Sequence, residues 1–167
     1  MQINFYPEQN NPEFEKAAEE YGKIWENEGD KIIEVIEKIS GLKFKEKIVN
    51  AIVYGKTSWA YPLTLQADLS IQHKGATLIH ELCHRLMRGN NLEPKIYTAK
   101  NTHKQIYLIY FDILCDLYGE KFAEEEVKFE LTFWKIKKIN PHRIAWDWAL
   151  SMTREERRKI WKKSLEK

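Results

Sequence analysis

Residues 77 to 87, TLIHELCHRLM, restrict what this chain can fold into more than any other stretch. Leu78, Ile79, Leu82 and Leu86 recur at helical spacing, which predicts a helix that buries one side. His80 and His84 are four residues apart, so their imidazoles stack on one face from consecutive turns and can grip a single metal ion. Glu81 projects beside them, next to the metal and not on it. A fold that accepts this helix must cover its apolar side and still leave space at the two histidines.

The chemistry follows from the spacing. A carboxylate beside a metal can take a proton from a water that the metal holds and pass it to a leaving group. Zinc lowers the pKa of such a water to about 7 and polarises a carbonyl as a Lewis acid. The plain alternative is an amphipathic helix that happens to carry these residues; chance places the pattern in a chain of this composition about two times in a hundred. Cys83, inside the motif, reads as a buried free thiol, and His73, two turns earlier, as a surface residue too far away to share the ion.

The chain has 167 residues, 43% hydrophobic and 13% aromatic, which suits one domain spanning residues 1 to 167. Its formal net charge is only +2, with Lys and Arg mixed among Glu, so there is no clear nucleic-acid signal. No apolar run is long enough to span a bilayer, no signal peptide is evident, and two cysteines cannot frame a disulfide scaffold, so a cytoplasmic protein is expected.

Asn11 and Pro12 open a first helix, with Phe14, Ala17, Ala18, Tyr21, Ile24 and Trp25 on one face. A second helix is predicted from about Asp30 to Ser40-Gly41. Ile48 to Tyr54 and Trp59 to Leu65 read as strands separated by Gly55-Lys56-Thr57, and Pro62 puts the second on an edge. Further helices are predicted over about 73 to 88, 102 to 118 and 120 to 138, then from Asn140-Pro141 and from a Thr153/Glu156 capping box. The fold class is therefore α+β, mainly helical, with a small sheet over the His80–His84 helix.

The HELCH helix resembles that of the zincin superfamily of zinc peptidases, over roughly residues 58 to 88. The resemblance implies a small sheet above the helix and a cleft in which an extended substrate pairs with the lower edge strand, for which Trp59 to Leu65 is the candidate. Catalytic zinc usually takes three protein ligands. His103 at the start of its helix is one choice for the third; Asp112, with Asp116 one turn on, is the other. A simple helix cannot offer both, because nine residues turn it by about half a revolution. His103 with Tyr107 is similar to the HGxxF element of the SprT-like proteases, with Lys104 in place of Gly. A gluzincin-like relative is the other family reading, although residues 102 to 118 contain no Glu.

Together these features predict a zinc metallopeptidase acting on a peptide or protein substrate. His80, His84 and His103 are the expected zinc ligands and Glu81 the general base, while Tyr107 is a candidate donor to the oxyanion. His142 is a weaker candidate for that donor role. The reading from another class is a non-catalytic protein-interaction module that keeps a structural metal site.

Overall fold

The computed structural model describes residues 1–92, 99–133 and 141–166. It is mainly helical α+β, and the chain divides into two compact units, Met1–Lys38 with Leu42–Asn90 and Ile39–Gly41 with Asn91–Lys167.

The first unit holds β1 (Gln2–Pro7), most of α1 (Pro12–Ser40), β2 (Ile48–Tyr54), β3 (Leu63–Gln66) and α2 (Ile71–Gly89). The strands form one sheet in the order β1-β2-β3, and both pairings are parallel, with Gln2 opposite Ile48 and Ala51 opposite Leu63. Alternation along β2 sends Val49, Ala51 and Val53 inward and leaves Ile48, Asn50 and Ile52 exposed. Ile3, Leu63 and Leu65 join the buried face, where Phe5 stacks on Tyr21 of α1 with ring centroids 5.9 Å apart.

Three details depart from the sequence reading. β1 was not expected. α1 is one helix of 29 residues, not two with a boundary before Asp30. It opens as expected, with Asn11 Oδ1 accepting from the Glu13 N–H at 2.9 Å, and it closes where Gly41 takes a left-handed φ of +72°. The helix runs through Gly29, where the Trp25 indole lies over the backbone: a Cβ there would sit 2.9 Å from two ring carbons. Finally, Trp59, Ala60 and Tyr61 are not part of the strand. Trp59 pairs antiparallel with Thr64, so the chain reverses around Pro62 and β3 begins only at Leu63. A parallel return in so few residues is feasible because β3 spans only the last four residues of β2.

The edge position of β3 is as expected, and its outer side is closed by the chain itself. Thr64 and Trp59 exchange both backbone hydrogen bonds, the Gln66 N–H donates to Ser58 Oγ at 3.0 Å, and the Gln66 carbonyl accepts from Tyr21 Oη at 2.9 Å. The segment is held from below by Arg85 of α2. Its guanidinium donates to the Ala60 carbonyl and to both oxygens of Glu46, and stands 4.4 Å from the Tyr61 ring.

The second unit is helical: α3 (Ala99–Tyr118), α4 (Glu120–Phe133), α5 (Pro141–Leu150) and α6 (Arg154–Leu165). Residues 134–140, including the Asn140 cap and the last turn expected for α4, lie outside the described residues. The Thr153/Glu156 capping box is formed in both directions. Trp146 and Trp161 are fully buried, and Trp161 Nε1 donates to the Ser40 carbonyl at 2.7 Å. No helix among the described residues is long and apolar enough to cross a membrane.

The two mid-helix glycines of α1 should respond in opposite ways to a methyl group. Gly22 has open space at the Cβ position. Gly22→Ala should therefore raise the unfolding free energy by about 0.5–1 kcal/mol. Gly29→Ala must push the Trp25 ring aside and should gain nothing or lose about 1 kcal/mol; urea titration of the two variants checks the contrast.

Candidate metal centre

α2 is capped by Ser70, whose hydroxyl accepts from the His73 N–H at 3.4 Å. His73 is half-buried in this first turn, and burial lowers its pKa. Lys74, 3% exposed, reaches Glu20 of α1 at 2.5 Å and anchors the start of the helix. From there α2 is buried on nearly every side, including Leu78, Ile79, Leu82 and Leu86. Cys83 is buried as expected, and burial pushes its thiol pKa well up.

His80, Glu81 and His84 are also buried, at 7%, 8% and 9% exposure. This is not the solvated face of an ordinary amphipathic helix. The two Nε2 atoms stand 3.2 Å apart, with ring centroids at 5.0 Å and planes tilted by 49°. Two nitrogens each about 2.0–2.1 Å from a tetrahedral zinc lie about 3.3 Å apart, so this spacing fits two corners of one coordination sphere. Both donors are imidazoles, the commonest ligands for such an ion. The carboxylate of Glu81 adds negative charge nearby, and with burial it raises the Tyr21 phenol pKa. The residues therefore fit a metal.

The other sequence candidates lie in the second unit. His103 is half-buried on α3, its ring 4.1 Å from His142 of α5 and 5.5 Å from Tyr107. Tyr107 is fully buried against Trp146, with ring centroids 3.8 Å apart and nearly parallel planes. Its hydroxyl donates to Glu130 Oε2 at 2.6 Å and lies 2.7 Å from His142 Nδ1. An oxygen that donates to a carboxylate is left to accept, which assigns the proton of that contact to His142 Nδ1. The same Glu130 oxygen accepts from Trp146 Nε1 at 2.7 Å. Sequence reasoning missed Glu130 altogether; the available signal was a Tyr and a Trp on apolar helix faces, since each needs a partner for its polar atom when buried.

Asp112 and Asp116 are brought to α6 instead. Asp112 is 1% exposed and accepts from Arg157, with Arg154 Nε 3.6 Å away; Asp116 accepts from Arg154 Nη2 at 2.7 Å. Their charges are already matched. Cys115 beside them has its thiol pKa pushed up to about 11, first by burial and then by Asp112.

No protein-family model matches this chain, and neither does any curated protein or solved structure.

Two outcomes follow. Removing one partner of a buried ion pair strands the other, so Asp112→Ala should cost about 3–5 kcal/mol in chemical denaturation, and Arg157→Met should cost a similar amount. The Lys74 hydrogen bond holds the Glu20 carboxyl below its ordinary value despite opposing burial. A lowered folded-state pKa stabilises above the unfolded value and is lost as pH falls through the folded one. Stability measured from about pH 6 to about pH 3 should therefore fall, and Glu20→Gln should flatten part of that fall.

Proposed function

We propose that this protein is a zinc-dependent metallopeptidase. The observation that carries the reading is the pair of buried imidazoles on α2, 3.2 Å apart at Nε2, with Glu81 in the same helical turn. His80 and His84 are the first two ligands, and His103 is proposed as the third. The capture of Asp112 and Asp116 by Arg154 and Arg157 supports His103 over the carboxylate alternative.

A zinc ion at this site would supply Lewis acidity and make water acidic enough to attack at neutral pH. Glu81 takes the proton from the attacking water and returns it to the departing amine, and its burial keeps both transfers away from competing solvent. Glu130, through Tyr107, holds His142 with its proton on Nδ1. For Tyr107 to stabilise an oxyanion, its hydroxyl must leave Glu130 for the substrate. The free thiols of Cys83 and Cys115 fit a reducing compartment, and a cytoplasmic location is proposed on that basis.

A second reading is a non-catalytic interaction module whose metal is structural. The closed outer side of β3 favours it, because the strand expected to receive an extended substrate already has its backbone groups bonded.

Zinc content of the purified protein, together with hydrolysis of an unstructured protein such as casein, tests both readings. Wild type and folded Asp112→Ala should carry stoichiometric zinc, and His80→Ala and His103→Ala should lose it. Glu81→Gln should keep zinc while hydrolysis falls by about a hundredfold to ten-thousandfold. Absence of stoichiometric zinc from the wild type would end the metallopeptidase reading. Full zinc without hydrolysis, and a melting temperature that drops on chelation, would leave the structural module.

A further inference from the structure

His103 is the proposed zinc ligand whose direction the spacing of α2 does not set. It lies on α3 and is half-buried, with the His142 ring centroid 4.1 Å from its own and the Tyr107 ring at 5.5 Å. The outer torsion of a histidine is broad, so the ring by itself turns over a wide range. Neighbouring groups that hold a ligating imidazole in one orientation raise its affinity for a metal. What flanks His103 therefore matters as much as its presence.

The two flanking rings are tied to each other and to α4. Tyr107 Oη stands 2.7 Å from His142 Nδ1 and donates to Glu130 Oε2 at 2.6 Å. The same carboxylate oxygen accepts from Trp146 Nε1 at 2.7 Å, and Trp146 stacks on Tyr107 with ring centroids 3.8 Å apart. The donors run in one direction: His142 Nδ1 gives to the phenol oxygen, and the phenol gives to the carboxylate. Tyr107 and Trp146 are fully buried and His142 is 7% exposed, so water is poorly placed to replace the acceptor on which both donors end.

We propose that Glu130 is a positioning residue for His103. Acting through Tyr107 and His142, it fixes the rings against which the His103 imidazole packs, and so limits the directions in which His103 can meet a zinc ion. In this role the Tyr107 proton stays on Glu130. The inference rests on the metallopeptidase reading for the ion and goes beyond it in giving the third ligand a support anchored on a carboxylate.

The test uses the full-length protein and three variants. Tyr107→Phe removes one oxygen and leaves the ring stacked on Trp146, Glu130→Met removes the acceptor, and Glu130→Gln keeps an acceptor oxygen. In the metal-free wild type, in mildly alkaline solution, long-range proton–nitrogen spectra should show His142 protonated at Nδ1, and nuclear Overhauser effects should connect the His142 and His103 rings. Both signatures should be lost in Tyr107→Phe and Glu130→Met and kept in Glu130→Gln. Zinc affinity, measured by competition with a chelator, should fall about tenfold to hundredfold in the first two variants and stay near the wild-type value in Glu130→Gln. A His142 protonated at Nε2 in the wild type would overturn the proposal, as would unchanged ring contacts and zinc affinity in folded Tyr107→Phe, and either result leaves the metallopeptidase reading standing. A wild type that binds no zinc would overturn both.

Discussion

Arg85 follows directly after His84, and much of the first unit is organised around it. One guanidinium holds the Glu46 carboxylate with two donors, binds the Ala60 carbonyl and packs on Tyr61. It thereby couples the rotation of α2, and with it the direction of His80 and His84, to the segment that closes β3. Guanidinium is the right group for this task. Its planar fork satisfies several acceptors at once.

Among the described residues, the acidic groups of the second unit discussed above have partners within the protein. Asp112 has two arginines, and Glu130 has a phenol and an indole. His80 and His84 differ in kind, because two neutral imidazoles meeting at Nε2 have at most one useful proton between those atoms. A cation shared between them satisfies both lone pairs at once. This is why the proposed metal site rests on a small distance on one helix and not on the larger network around Tyr107.

The parts legible in the sequence are those whose physics is local. Helical spacing placed α2, α3 and α6 within a few residues, the Asn11 cap and the Thr153 box were visible from neighbouring positions, and the edge position expected from Pro62 belongs to β3, which begins just after that proline. The join within α1 was misread because Gly29 and Asp30 resemble a stop and a start, whereas Gly29 gives room to the Trp25 ring one helical turn earlier. β1 has a period of two in Ile3 and Phe5 but no flanking hairpin turn, and its partner is 46 residues away. In the sites, the two histidines proposed to hold a metal belong to one helix, so their closeness could be read directly. Glu130, Arg85 and Arg157 act on residues far from them in sequence, and no spacing rule reaches those contacts.

The parallel pairing of β1 with β2 also sets an order of events. Residues 2–7 are synthesised well before residues 48–54, so β1 has no strand to pair with while α1 is emerging. A helix of 29 residues can form during that interval from its own hydrogen bonds, and Phe5 can then settle on Tyr21 before the sheet exists. The sheet cannot close until residues 48–54 exist, and closing it carries the entropic cost of bringing together segments nearly fifty residues apart.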